Sequence, residues 1–151
     1  MAEEKTLKVQ KIKEGTVIDH IDGGKAWDVI RLLGLEDYPD TVTVLANSPS
    51  KKMGKKDVVK VENKQLVKAE LDKVALIAPH ASVNFIKDFE VKEKYNVKVP
   101  KEVVGLLKCT NPACVTHDEP VTTRYSVESE DPLKLRCAYC ERVQSGIEFE
   151  E

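Results

Sequence analysis

Two periodicities alternate along the first hundred residues of the chain. Alternating and β-branched residues predict strands, whereas apolar residues three or four positions apart predict helices. The predicted strands are residues 7–12, 16–21, 41–47, 57–63 and 74–79, with a mostly extended segment at 81–97. The predicted helices are residues 23–33 and a short helix after Asn63 in which Val67, Leu71 and Val74 share a face. From residue 16 the order is strand, helix, strand, strand, helix, strand. This order is typical of a ferredoxin-like α+β fold, in which two helices cover one face of an antiparallel sheet.

The ends of the first helix have specific sequence signals. Asp22 precedes it and is predicted to cap its N-terminus, and Gly34 follows it and suits a C-terminal stop. Asn63 is predicted to cap the second helix in the same way. The interval 47–57 between two strands, NSPSKKMGKKD, is a basic loop.

The character of the chain changes near Pro100. All four cysteines follow residue 108, among short β-like runs such as TTRYSV and LKLRC. Lys and Arg number 18 against 16 Asp and Glu up to residue 100, but 6 against 10 afterwards. We therefore expect two domains, residues 1–99 and residues 100–151, the second small, all-β and of the zinc-ribbon or rubredoxin-like kind.

Composition excludes several classes of protein. Apolar residues make up 41% of the chain, which is enough for a core, and the net charge of −2 favours neither nucleic acid nor membrane as a partner. No apolar run approaches the roughly 18 residues of a membrane helix, and the polar N-terminus is not a signal peptide. We expect a cytoplasmic protein, in whose compartment thiols remain reduced.

The spacing of the cysteines predicts a metal site. Cys109 and Cys114 are separated by four residues, Cys137 and Cys140 by two, and 22 residues lie between the pairs. Such short turns let two thiolates point at one tetrahedral centre, and four thiolates leave no open position for a substrate or water. We predict one structural zinc ion per chain, which would also stabilise a domain of about 50 residues.

Other interpretations of the cysteines are weaker but remain open. Two disulfides conflict with a reducing compartment, and the residues before Cys137 are unlike a thioredoxin motif. Iron is an alternative metal for a four-cysteine site. His117 lies nearby in sequence, but we interpret it as a surface or hydrogen-bonded residue.

The sequence disfavours two classes of function. A zinc ribbon that binds nucleic acid should be basic, whereas residues 101–151 are net acidic. An enzyme should have a nucleophile and base or an open metal site, and the spacing of the three histidines, His20, His80 and His117, predicts neither. The P-loop and GxGxxG motifs of conventional nucleotide sites are absent.

Several segments together resemble the regulatory chain of aspartate carbamoyltransferase. They are GTVIDHI (15–21), NSPSKKMGKKDVVKVEN (47–63), ALIAPHASVN (75–84) and the CxxxxC…CxxC module, in the same order and at the same spacing. The resemblance covers nearly the whole chain. It implies a non-catalytic subunit of pyrimidine biosynthesis whose N-terminal domain binds nucleotide effectors and forms a homodimer. It also implies that the zinc domain docks on the catalytic chain, so that regulatory dimers bridge catalytic trimers.

The resemblance also implies a set of nucleotide-binding residues. Lys60 and Lys94 match phosphate and ribose contacts, Lys56 and His20 further polyphosphate contacts, and Asp19 a position near the sugar hydroxyls. The strand whose backbone contacts the base corresponds to Val9, Gln10, Lys11 and Ile12, and the far wall of the pocket to Asn84, Ile86, Phe89 and Val91. Gln10 stands where the best-known members have an acid, and Phe89 where they have a tyrosine. Base preference is therefore not carried over.

Overall fold

Five strands and two helices form the N-terminal part of the chain. The computed structural model describes residues 11–145 and 147–149. The strands are β1 (Gly15–Asp22), β2 (Val42–Ser50), β3 (Gly54–Glu62), β4 (Ser82–Lys87) and β5 (Glu90–Asn96); the helices are α1 (Ala26–Leu32) and α2 (Lys68–Ile77), with a 3-10 turn at Leu35–Asp37. The sheet order is β2-β3-β1-β4-β5 and every neighbouring pair is antiparallel. The first four strands and the two helices follow the ferredoxin-like order, so the predicted α+β class is confirmed, and β5 extends the sheet by one strand.

One face of this sheet forms the core. Ile18, Val59 and Val83 lie opposite one another on adjacent strands, and all three are fully buried. Helix α1 contributes Val29 and helix α2 contributes Val74, which are equally buried. At about 25 cal/mol per Å² of apolar surface removed from water, residues of this size each contribute roughly 1.5–3 kcal/mol. The opposite face of the sheet is left for polar side chains.

The fourth strand was predicted in the wrong place. Residues 74–77 belong to α2, and the chain enters β4 only at Ser82. A short, uniformly apolar run carries no periodicity that separates a buried strand from a buried helix turn. The run is apolar here because it ends the buried side of α2. Of the strand predicted at 7–12, only Lys11 and Ile12 are described, and neither lies in a strand.

The start of α1 also differs from the prediction. The helix begins at Ala26, three residues later than expected, and its N-cap residue makes no side-chain hydrogen bond. The cap comes from Asp57 on β3, whose Oδ2 accepts the backbone N–H groups of Gly24 and Ala26 at 2.9 Å each. Asp22 contributes only its carbonyl, which accepts the N–H of Lys25. Asp57, which is distant in sequence, thus caps the helix in place of Asp22.

The chain divides into two compact units between Val97 and Lys98. The second unit contains strands β6 (Glu102–Val104), β7 (Leu107–Lys108), β8 (Arg124–Glu130), β9 (Leu133–Cys137), β10 (Val143–Gln144) and β11 (Glu148–Phe149), with a 3-10 turn at Val115–His117. They form a four-stranded sheet in the order β10-β9-β8-β6 and a β11-β7 ribbon. Tyr125, Leu107 and Leu135 are fully buried at its centre. The predicted small all-β module is confirmed.

Candidate functional site

The four cysteines of the second unit converge on one point. All four sulfur atoms lie within 4.8 Å of one another, and the pairs Cys109–Cys140 and Cys114–Cys137 are 3.8 Å apart. A tetrahedral ion with metal–sulfur bonds of about 2.3 Å requires sulfur–sulfur edges of roughly 3.8 Å. The cysteines are unbridged, so the separation excludes disulfides in this state. The donor set fits a tetrahedral thiophilic ion.

Backbone N–H groups donate to the cysteine sulfurs and favour the thiolate form that binds a metal, whereas burial opposes it. Burial, together with the neighbouring sulfurs of Cys140, Cys137 and Cys114, raises the pKa of Cys109 to about 12, although the backbone N–H of Asn111 acts in the opposite direction. Burial also raises the pKa of Cys140, but hydrogen bonds from Arg142 and Asn111 outweigh it and lower that pKa to about 6. The sulfur of Cys137 accepts the backbone N–H groups of Cys140 and Tyr139. The positive charge of a bound ion would hold all four as thiolates.

The turn after Cys137 is held in a left-handed conformation. Glu141 has a φ of 63°, and its N–H donates to the carbonyl of Cys137 at 2.9 Å. The N–H of Cys137 in turn donates to the carbonyl of Arg142 at 3.1 Å. These reciprocal bonds fold the segment back on itself, which aims Cys137 and Cys140 at the same centre.

Buried hydroxyl groups fix the strand that leads to the other cysteine pair. Thr123 Oγ1 donates to the carbonyl oxygen of Leu107 at 2.7 Å, and the Tyr125 hydroxyl donates to the same oxygen at 3.3 Å. Leu107 lies two residues before Cys109. His117 is exposed, is 2.9 Å from the carbonyl of Asn111 through Nε2, and is not part of the four-sulfur cluster. Within the described residues, the cysteines are the only such group of potential metal ligands.

On the first unit, a row of four residues, three of them polar, crosses the sheet on the face away from the core. Lys60 pairs with Val17, Val17 with Asn84, and Asn84 with Lys94, across β3, β1, β4 and β5. Residues directly opposite one another project from the same face of a sheet. We call these four residues the basic row. It brings three of the sequence-predicted nucleotide residues onto one surface.

A charged cluster adjoins the basic row at Asp19, which lies two residues along β1 from Val17. Lys56 Nζ is 2.9 Å from Asp19 Oδ1, and the same oxygen accepts the backbone N–H of His20 at 2.6 Å. Burial by itself raises the pKa of Asp19, but these two hydrogen bonds outweigh it and hold that pKa below its usual value. Burial lowers the pKa of Lys60, while the nearby charge of Asp19 opposes that shift.

The histidine of this cluster lies in a β-bulge. The pairing of β1 with β3 slips between Ile18 and Ile21, and His20 has a left-handed φ of 58°. Its Nδ1 is 2.8 Å from the hydroxyl of Ser82 on β4. Sequence reasoning did not identify Ser82, because a serine at the start of a strand carries no signal for a contact with a distant histidine. The bulge turns His20 away from the alternation that its neighbours follow.

Three further predicted nucleotide residues, Ile86, Phe89 and Val91, lie in or beside the hairpin between β4 and β5. Phe89 and Val91 are exposed, at 56% and 57%, whereas Ile86 is buried. Lys11 is exposed and Ile12 is buried. Val9 and Gln10 lie outside the described residues. Phe89 has a φ of 65°, an unusual conformation for an aromatic residue, and its N–H donates to the carbonyl of Lys13 at 2.9 Å.

Two open cavities border this region. One of about 540 Å³ is lined in part by His20, Lys52, His80 and Asn96. The other, about 490 Å³, is lined in part by Phe85 and Ile86. Each is lined by one of the predicted nucleotide residues, His20 in the first and Ile86 in the second. No helix among the described residues is long and apolar enough to span a membrane.

Comparisons with known proteins cover both units. The profile of the aspartate carbamoyltransferase regulatory chain, allosteric domain, matches residues 7–98, and that of the metal binding domain of the same chain matches residues 101–150. Three proteins named aspartate carbamoyltransferase regulatory chain illustrate the similarity. The one from Thermococcus kodakarensis is 55% identical over 137 residues, 90% of each chain. The one from Pyrococcus furiosus is 54% identical over 95% of each chain. The one from Thermofilum pendens is 51% identical over 97% of this chain and 94% of its own.

Proposed function

The chain belongs to the family of aspartate carbamoyltransferase regulatory chains, and from that premise we propose that it senses nucleoside triphosphates and controls the catalytic chain. It is a non-catalytic subunit with an allosteric and a metal-binding domain. We assign effector binding to residues 1–99 and docking on the catalytic trimers to residues 100–151. The pathway regulated in this way is pyrimidine biosynthesis.

The basic row is the observation that carries effector binding. A nucleoside triphosphate brings about four negative charges, which need cations or N–H groups close by. Lys60 and Lys94 project from one face of the sheet, with Asn84 between them, and Lys56 and His20 adjoin that face. The exposed ring of Phe89 and the exposed Val91 offer an apolar surface for a base at the hairpin end. Phosphate and base thus have separate, chemically matched places along the same surface.

The metal is proposed to be one zinc ion per chain with a structural role. Four cysteine sulfurs at tetrahedral spacing fill every coordination position, which suits a structural rather than a catalytic ion. Such a site needs reduced thiols, which supports a cytoplasmic location. Metal analysis of purified protein should find zinc at one equivalent per chain. Iron at that stoichiometry, or no metal, would contradict the assignment.

We propose that the N-terminal unit forms a homodimer through the edge strand β2. From Val42 to Ser50 this strand carries no charged side chain, and Val42, Val44 and Leu45 are half-buried. The other edge, β5, carries Glu90, Lys92, Glu93 and Lys94 in seven residues, and edge charges oppose strand pairing. Replacing the exposed Thr43 with Glu adds a charge to this edge in each copy and should weaken the dimer. Sedimentation that shows an unchanged dimer in this variant would exclude β2 as the interface.

The decisive experiment reconstitutes the holoenzyme from this chain and its catalytic trimers. Saturating ATP or CTP should change the aspartate saturation curve of the complex, and this chain alone should have no activity. Couplings of this kind are typically about 1–3 kcal/mol, or roughly 5- to 150-fold in affinity. By reciprocity, a bisubstrate analogue on the catalytic chain should change nucleotide affinity on this one. Identical curves with and without nucleotides would reduce the chain to a structural bridge.

A nucleic-acid partner is the alternative function, and the charge of the second unit disfavours it. Residues 101–151 carry 6 Lys and Arg against 10 Asp and Glu, and four thiolates with one divalent ion subtract two further charges. Such a surface repels phosphate and suits a protein partner. Binding of this unit to DNA or RNA at physiological salt would reverse that conclusion.

A further inference from the structure

A buried carboxylate joins two segments on either side of β3. Asp57 is fully buried, and its Oδ2 accepts the N–H groups of Gly24 and Ala26 at the start of α1. Its Oδ1 accepts the N–H of Asn47 on β2 at 2.7 Å. This carboxylate therefore holds the start of α1 and strand β2 at fixed distances from β3, because leaving any of the three N–H donors without an acceptor is costly.

The strands on both sides of Asp57 are irregular at its level. The β1–β3 pairing slips between Ile18 and Ile21, and Ile21 is the residue paired with Asp57. The β2–β3 pairing slips between Leu45 and Ser48, within which Asn47 has a left-handed φ of 56°. A bulge is a discrete element: one extra residue is either accommodated at a given place or is not. Two such elements therefore meet at one side chain.

The bulge in β1 is also part of the proposed effector site. Asp19 Oδ1 is shared between Lys56 Nζ and the N–H of His20 within the bulge. Lys56 is the residue before Asp57 on β3. A polyphosphate would compete with Asp19 for the ammonium group of Lys56, and Lys56 is part of the strand segment that carries Asp57.

We propose that Asp57 is a positioning residue that transmits effector binding from the Asp19–Lys56 pair to the bulge of the edge strand β2. The proposal rests on nucleotide binding at the basic row. It assigns to β2 two arrangements of its Asn47 bulge, one favoured without effector and one with it. Because β2 is the edge proposed to pair with a second copy, such a change would reach the partner subunit directly.

Hydrogen exchange on the full-length, metal-loaded chain tests this transmission, with ATP as the probe and calorimetry as the measure of binding. In the native chain, saturating ATP should change amide exchange of residues 45–50 by about fivefold or more, the lower end of typical allosteric couplings. In Asp57→Asn, ATP should still bind, but the change in β2 should fall below about twofold. Asp72→Asn, which alters a surface acid on α2, is the matched control and should behave as the native chain.

A second variant keeps the test decisive if Asp57→Asn does not fold. Lys56→Met breaks the Asp19–Lys56 pair without ligand, so exchange of β2 should move towards the ATP-bound value in the absence of ATP. If the native chain binds ATP and β2 exchange stays constant, or if Lys56→Met leaves it at the unliganded value, the role of Asp57 is refuted while nucleotide binding stands. If the native chain binds no nucleotide, the proposed function itself has failed.

Discussion

The basic row makes a quantitative prediction about two of its members. Lys60 and Lys94 are separated by three strand spacings, so their Cα atoms are about 14 Å apart. At that separation they contact different parts of an extended ligand, and their contributions should add. Each lost charge-assisted contact should cost about 1.5–3 kcal/mol, or roughly 10- to 150-fold in affinity. Lys60→Ala/Lys94→Ala should therefore cost about 3–6 kcal/mol, or roughly 10²- to 10⁴-fold.

Nucleotide binding through Lys60 should depend on pH. Burial lowers the pKa of Lys60, although the charge of Asp19 opposes this. The ammonium form exists below that lowered pKa, so affinity should be highest there and should fall as pH rises through it. In Lys60→Ala the part of the alkaline decline that comes from this ammonium group should disappear.

Calorimetry with ATP and CTP at constant ionic strength measures all of these quantities. Lys73→Ala on α2 is the control, because that helix packs on the opposite face of the sheet and the change removes the same charge from the protein. A double variant that loses no more affinity than the worse single variant would show that the lysines act on one ligand group. An equal loss in Lys73→Ala would show that net charge, and not the row, attracts the nucleotide.

The other predictions concern stability. Asp57→Asn should lower the free energy of unfolding by about 2–4 kcal/mol in urea titrations, because at least one backbone donor loses a charged acceptor; a cost under about 1 kcal/mol would contradict the buried bonds described above. The Asp19–Lys56 pair stabilises the fold above the unfolded carboxyl pKa of about 3.9 and ceases to do so as pH falls through the lower folded value, so the native chain should lose more stability than Asp19→Asn in acid. Chelation of the metal, or Cys114→Ala, should abolish the near-ultraviolet dichroism of the second unit but not the helical signal of the first, since structural zinc contributes on the order of 10 kcal/mol; retention of both signals would refute a structural metal. Glu141→Gly should raise stability by about 0.5–1 kcal/mol, because glycine adopts a positive φ without strain, and thermal denaturation with metal bound measures it.

Sequence patterns sufficed where local spacing determines structure. Alternation placed β1, β2 and β3 within a few residues of their bounds, and the cysteine spacing identified the metal cluster, because a tight turn dictates where two sulfurs point. The uniformly apolar run at 74–79 lacked such information, and its helical end was missed. The contacts of Asp57 were also missed, since all three donors lie at least ten residues away in sequence.

The basic row was predicted only through resemblance to a family. No periodicity aligns Lys60, Asn84 and Lys94, because strand register sets their alignment and register depends on the whole sheet. The β4–β5 hairpin was likewise invisible. Asp88 and Phe89 at its tip both have positive φ values, and sequence rules expect such values for glycine, asparagine and aspartate but not for an aromatic residue. Tertiary context thus determined the parts of the site that local preference could not.

The unequal edges of the first sheet have a consequence for how large the assembly can grow. A sheet with two bare edges can add copies indefinitely and become a fibre, as open head-to-tail contacts do. Here β2 is uncharged, whereas β5 carries four charged residues in seven. If β2 pairs with its own symmetry mate, the edges left among the described strands are two copies of β5, whose charges oppose further pairing. Growth through this sheet would then stop at ten strands, and the same asymmetry would oppose aggregation by strand addition.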